Sequence, residues 1–94
     1  MAFRRNTYYV YVAVGASGTL YTGVTNNIAR RAFEHATADD RSFTGKYNVN
    51  RIVYVEVFGD PVSAIEREKQ IKRWRRDKKI ALVDEGNPAW PRSI

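Results

Sequence analysis

The chain has no cysteine, one histidine, one methionine and three prolines among its 94 residues. Without cysteine there is neither a disulfide framework nor a thiolate zinc or iron–sulfur site. That usage fits a cytoplasmic protein. No stretch approaches the roughly 20 apolar residues a membrane span needs. The N-terminal MAFRRNTYYVYVAV sets two arginines before an apolar run in the manner of a leader, but the run is short, tyrosine-rich and ends in a turn. It reads as a strand. There are no repeats, low-complexity tracts or interdomain linkers, so residues 1–94 are expected to form one domain.

What is present is positive charge in one place. Sixteen Lys and Arg stand against ten Asp and Glu, a net charge of +6. Residues 67–79, REKQIKRWRRDKK, hold eight basic and two acidic side chains, and the remainder of the chain is balanced. A localised basic face is the footprint of a polyanion partner, most often nucleic acid. Against that stands a solvated helix face with spare lysines.

Along the chain, residues 7–14 read as a strand rich in Val and Tyr, Gly15–Gly18 as a turn, and 19–24 as a second strand, together a β-hairpin. Thr25, Asn26 and Asn27 supply capping side chains for a helix over 28–37. Residues 38–50 read as a loop, and RIVYVEVF (51–58) as a third strand. Pro61, with Asp60 as cap, opens a helix to about Trp74, and a shorter helix near 77–84 is stopped by Gly86-Asn87-Pro88. The order ββαβαα predicts a small α+β domain, a three-stranded antiparallel sheet flanked by helices.

Some polar residues fall where apolar ones are expected. On a wheel of about 100° per residue, Ala64, Ile65 and Ile71 define the inward arc of the second helix, with Trp74 at its edge. Glu68 projects within that arc, roughly 40° from Ala64, and Glu66 falls on the opposite side. A carboxylate there is paired, metal-bound or at the lip of a cleft, or else sits at the helix margin in a salt bridge. On the first helix, Ile28 and Ala32 mark the inward side, His35 follows at i+7, Arg31 flanks that side one turn before it, and Arg30 points away. A lone histidine near a core is more often structural than a ligand.

The set is chemically legible. One carboxylate can hold a single Mg²⁺ when waters and a substrate phosphate complete the octahedron. An arginine beside it stabilises charge on a transferring phosphoryl group. A tyrosine needs a nearby cation to act as a base. No hydrolase elbow or phosphate-binding Gly-rich loop is present.

These residues, at this spacing, resemble the GIY-YIG nuclease superfamily. Tyr9-Val10-Tyr11 stands for its first half-motif and Tyr21-Thr22-Gly23 for its second. The stretch Gly23–Ile28 followed by Arg31-Ala32-Phe33-Glu34-His35 is similar to the family's continuation. Lys46-Tyr47-Asn48, the strand 52–56, Arg67–Lys72 with Trp74, and Asn87-Pro88-x-Trp90 resemble a small stand-alone bacterial branch often labelled excinuclease-like. The resemblance covers essentially the whole chain. It implies a metal-dependent DNA endonuclease or nickase, structure-selective and repair-related, with one Mg²⁺ or Mn²⁺ and no small-molecule cofactor. It also implies DNA, branched or single-stranded, as partner, with no role for a membrane.

Carried over by position, Tyr11 and Tyr21 stand near the attacking water and scissile phosphate, facing the helices that bring Arg31 and Glu68. Arg31 stabilises the transition state, Glu68 is the metal ligand, and His35 supports phosphate or orients water. Lys46, Tyr47, Lys69, Lys72, Arg73, Arg75, Arg76 and Asn87 are the candidate nucleic-acid contacts. Tyr8 and Tyr9 are read as packing residues. The chain departs from the family pattern at Tyr9, where a glycine is usual, and at Thr22, where isoleucine is. Two other readings remain: a non-catalytic nucleic-acid-binding module using the basic helix 67–79, and a membrane-surface or partner-binding helix built on Trp74.

Overall fold

In a computed structural model, residues 7–15, 17–36 and 51–90 are described, the side chains of 34–36 excepted. Three strands, β1 (Tyr8–Val14), β2 (Leu20–Thr25) and β3 (Arg51–Phe58), form one antiparallel sheet in the order β2-β1-β3. Three helices accompany it: α1 (Ile28–Ala36), α2 (Pro61–Lys72) and α3 (Arg76–Gly86). The α+β class and the order ββαβαα are those expected from the sequence. The expected loop at 38–50, with Lys46 and Tyr47, lies outside the described residues.

Local chemistry explains each boundary. The β1–β2 turn is closed by Gly15 N–H donating to Thr19 O (2.8 Å) and Gly18 N–H donating to Gly15 O (2.9 Å). Gly18 has φ of 86°, a region side chains resist. Asn27 caps α1 by accepting from Arg30 N–H at 3.0 Å. Asp60 caps α2 by accepting from Ser63 N–H at 2.8 Å, and those amide contacts hold its carboxyl below the usual range. Pro61 takes the first helical position, where its missing N–H costs nothing.

The central strand β1 is nearly all buried, and its alternation organises the core. Val10, Val12 and Val14 pack with Ala64 and Ile71 of α2, Val83 of α3, and Trp90. Burial of side chains this size contributes about 1.5–3 kcal/mol each. Tyr11 and Ala13 are also buried but belong to no part of that cluster, because alternation turns them to the opposite face. A register shift between Val12 and Ala13 leaves Val53 opposite no β1 residue. This bulge is held by Asn87, whose side-chain amide donates to Val53 O at 2.9 Å.

The basic segment 67–79 is not one helix. α2 ends at Lys72, its last turn tightened by Arg73 N–H donating to Gln70 O and Trp74 N–H to Ile71 O. Arg75 is extended, with φ of −69° and ψ of 161°, before α3 starts at Arg76. The reason is geometric. On a straight helix Val83 would point about 120° away from Ile71, and both must reach the same core. The break lets them do so, at 0% exposure each.

Candidate functional site

The site is built where the end of β2 and the first turn of α1 meet α2, which lies against β1 and β2. On α2, Ala64 points straight into the core, Arg67 leans to one side and Glu68 to the other. Arg67 reaches β3, where it makes paired bonds to Glu56: Nε to Oε1 and Nη2 to Oε2, both 2.9 Å. Glu68 lies on the opposite flank, and so does Ile65 one turn before it. The Glu68 side chain is only 13% exposed, as the helical wheel requires, and its Oε2 is 2.5 Å from Lys72 Nζ. Ile65 departs from expectation. Placed in the inward arc by periodicity, it is 41% exposed and borders a surface depression instead.

That depression, about 330 Å³, is lined on one side by Tyr8, Val24, Pro61 and Ile65 and on the other by Thr25, Asn26 and Arg31 of α1. A second depression of about 220 Å³ adjoins it, lined by Thr25, Asn26, Asn27, Arg30 and Arg31. Thr25, Asn26 and Arg31 are therefore shared between a mixed hollow and a polar one, on the flank of α2 that carries Glu68 one turn further along. Arg30 is exposed and Arg31 half-buried, in line with their expected directions.

The two motif tyrosines are arranged differently from the sequence expectation. Tyr11 pairs with Gly23 and Tyr21 with Ala13, so they are diagonal neighbours on a common face. Their strand positions face away from the valines that α2 covers, so they do not both face the two helices. The cause is that Val10, Val12 and Val14 already occupy the α2-facing positions. The Tyr11 ring lies flat against the Gly23 backbone: a Cβ at Gly23 would stand 2.5 Å from Tyr11 Cζ. The glycine of the second half-motif is thus the seat of the tyrosine of the first. Backbone of α1 includes His35, whose side chain lies outside the description.

The candidate nucleic-acid contacts divide. Lys69, Arg73 and Arg75 are exposed at the helix break. Lys72 pairs with Glu68, and Arg76 Nη1 donates to Gly18 O at 2.8 Å, tying α3 to the β1–β2 turn. Asn87 is the bulge fastener. Trp74 is half-buried, with the Arg67 guanidinium 5.1 Å and the Lys78 ammonium 4.3 Å from its ring centre.

Sequence reasoning did not single out the Tyr54–Glu56–Arg67 cluster. Tyr54 Oη donates to Glu56 Oε2 at 2.7 Å, and Arg67 Nη1 donates to Gln70 Oε1 at 2.7 Å. Burial would raise the Glu56 carboxyl, but the hydrogen bonds from Arg67 and Tyr54 outweigh it and hold it below its usual range. Burial, reinforced by the bond to Glu56, pushes the Tyr54 hydroxyl up to about 12. The available signal was a glutamate within the apolar run 52–58 of β3.

The donor set limits any metal. Among the described residues no group of three or more His, Asp or Glu is gathered. A largely covered single carboxylate, Glu68, fits a one-carboxylate site completed by water and phosphate, not an all-protein cage. Among the described residues no helix is long and apolar enough to cross a membrane.

Comparison with known proteins agrees with this architecture. A family model described as the GIY-YIG catalytic domain matches residues 7–81. A UPF0213 protein of Staphylococcus saprophyticus is 33% identical over 79 residues, covering 84% of this chain and 96% of that one. Another, from Natronomonas pharaonis, is 40% identical over 76 residues, covering 81% and 89%. The solution NMR structure of a UPF0213 protein from Bacillus halodurans superposes with a TM-score of 0.60 at 29% identity, covering 88% of each chain. Nucleases of the matched family act on DNA and generally use a divalent metal. From residue 7 to residue 81, this chain belongs to the GIY-YIG catalytic-domain family.

Proposed function

We propose that the protein is a divalent-metal-dependent DNA endonuclease or nickase that hydrolyses a phosphodiester bond. The observation that carries the reading is the shared flank of α2, where a largely covered Glu68 follows one turn after the hollow bordered by Arg31. On this reading Glu68 is the one protein ligand to Mg²⁺ or Mn²⁺. Such an ion contributes positive charge beside the phosphate when bound. Arg31 holds a non-bridging phosphate oxygen and stabilises the charge that grows there in the transition state. Tyr21, on the edge strand β2, orients the attacking water through its hydroxyl, and Tyr11 shares its face while bracing Gly23. His35 supports the phosphate from α1. Lys69, Arg73 and Arg75 hold the flanking backbone, and Lys46 and Tyr47 add to that contact. Branched or single-stranded DNA in repair is the setting that suits so small a recognition surface.

A second reading has its own support. The Glu68–Lys72 pair already satisfies the carboxylate with an ammonium, as a non-catalytic DNA-binding module would. The two are separated by incubating the protein with supercoiled, branched and single-stranded DNA in Mg²⁺ or Mn²⁺, beside Arg31→Ala and Glu68→Ala. The endonuclease reading expects metal-dependent nicking that both variants lose. Binding without cutting, unchanged by Glu68→Ala, establishes the module instead. Equal cutting by all three proteins removes the site assignment.

A further inference from the structure

The Tyr8–Ile65 side of the hollow beside Arg31 has no part in the chemistry proposed above, yet its composition and position are specific. In this depression of about 330 Å³, Tyr8 presents an aromatic ring that Val24, Pro61 and Ile65 extend as an apolar wall, and Thr25, Asn26 and Arg31 form the facing polar wall. That volume is at the low end of the range of small-molecule sites, and sufficient for one planar heterocycle. The neighbouring hollow is polar throughout, lined by Thr25, Asn26, Asn27, Arg30 and Arg31, with two guanidinium groups among amides and a hydroxyl. Thr25, Asn26 and Arg31 line both, so the polar wall of the first continues into the second. A ligand matching this pair has a flat, weakly polar part joined within a few ångströms to an anionic part. A nucleotide within a strand is such a ligand, with its base for the Tyr8 side and its phosphate for the Arg30–Arg31 side.

We propose that the Tyr8–Ile65 hollow is a base-binding subsite that takes one unpaired nucleobase next to the phosphate held at Arg31. This rests on the nucleic-acid reading above and adds to it a reason for choosing substrate. A paired base is stacked on both faces and hydrogen-bonded along its edge, so it cannot enter a recess lined on the protein surface. An unpaired base in a flap, gap, bulge or single strand enters without the unstacking cost. Selection for branched or single-stranded DNA then follows from the protein's own shape, as aromatic stacking sites behave. Tyr8, which alternation and the core explain as a packing residue, serves both purposes: its half-buried ring packs against the core cluster and still borders the hollow.

The test uses binding and needs no cleavage. The intact protein is titrated, in chelator, with fluorescently labelled DNA whose single-stranded flap carries normal bases, and with the same DNA whose flap is abasic. The wild type is expected to bind the base-bearing flap about tenfold more tightly than the abasic one, the scale of one stacked base. Ile65→Asn removes apolar lining at an exposed position and is expected to reduce that ratio to within twofold. Tyr8→Ala should do the same, and Ile65→Asn keeps the test valid if Tyr8→Ala fails to fold. Binding of blunt duplex should be equal in wild type and Ile65→Asn. A wild-type ratio near one, or a ratio unchanged in Ile65→Asn, overturns the subsite while leaving the endonuclease reading intact. Absence of any DNA binding by the wild type overturns both. A tenfold ratio that Ile65→Asn abolishes, in a protein that does not nick DNA in the separate metal assay above, upholds the subsite and removes only the endonuclease.

Discussion

Arg67 of α2 clasps Glu56 of β3 with two parallel hydrogen bonds of 2.9 Å, and the same carboxylate accepts a third from Tyr54. This is the fastening of helix to edge strand, made of charge-assisted bonds in a half-covered setting. Removing one partner leaves the other short of its bonds. Glu56→Gln or Arg67→Leu should each lower unfolding free energy by about 1–3 kcal/mol in urea titration.

The same cluster sets an acid limit. The folded Glu56 carboxyl is held below its usual value, so its contribution is present above the unfolded value and is lost as pH falls through the folded one. Wild-type stability should therefore fall in acid below about pH 4 more steeply than that of Glu56→Gln. A series of unfolding curves across that range measures it. Parallel curves for the two proteins would show that Glu56 does not titrate as the geometry requires.

Tyr54 sets the alkaline counterpart. Its hydroxyl, raised from 10.0 to about 12, stays protonated in the fold when an unfolded tyrosine would ionise. Its contribution is complete below pH 10 and is lost as pH rises towards 12. Phenolate absorbance should show one late-titrating tyrosine that is missing in Tyr54→Phe.

Thr22 replaces the isoleucine usual in the second half-motif, and its Oγ1 is buried with no hydrogen-bond partner among the described residues. It sits opposite Val12, on the face that α2 covers. Thr22→Val keeps the shape and removes the unmet polar atom, so it should raise thermal stability, by about 1 kcal/mol.

Gly23 and Gly59 offer a matched pair. Alanine at Gly23 drives a methyl into the Tyr11 ring, whereas at Gly59 nothing stands within 4 Å. Gly23→Ala should cost about 1–3 kcal/mol and Gly59→Ala nearly nothing, measured by denaturation. If Gly23→Ala also abolishes nicking while remaining folded, the Tyr11 ring position is needed for activity as well.

Most of the fold was legible because its signals are local. The caps at Asn27 and Asp60, Pro61 at the first turn, and the β-branched and aromatic run of 51–58 ended by Gly59-Asp60-Pro61 each act within a few residues. Glu68 was legible for a similar reason, since wheel position follows from spacing alone. What was not legible depends on pairing across the sheet. The Tyr11–Gly23 register is set by the length of a turn, and a shift of one residue would have turned either side chain over. The partnership of Glu56 with Arg67 spans eleven residues and two elements, and nothing in either segment names the other. The break at 73–75 was legible as the gap between the two expected helices, but its cause, the joint demand of Ile71 and Val83, is not expressed by periodicity within one helix.

The basic run also looks different once its members are sorted by what they hold. Arg67 secures β3, Lys72 neutralises Glu68, and Arg76 clamps the carbonyl of Gly18. Lys69, Arg73 and Arg75 are exposed around the bend and are given none of these holding roles. Stripping positive charge wholesale from residues 67–79 would therefore unfold the protein and abolish affinity together, and the two losses would be indistinguishable. Substituting only Lys69, Arg73 and Arg75 keeps the scaffold. Each alanine should flatten the dependence of log affinity on log salt by about 0.9 without moving the unfolding curve. Three positions in a thirteen-residue stretch thus allow adhesion to DNA to be tuned independently of the fold, whereas Arg67, Lys72 and Arg76 do not.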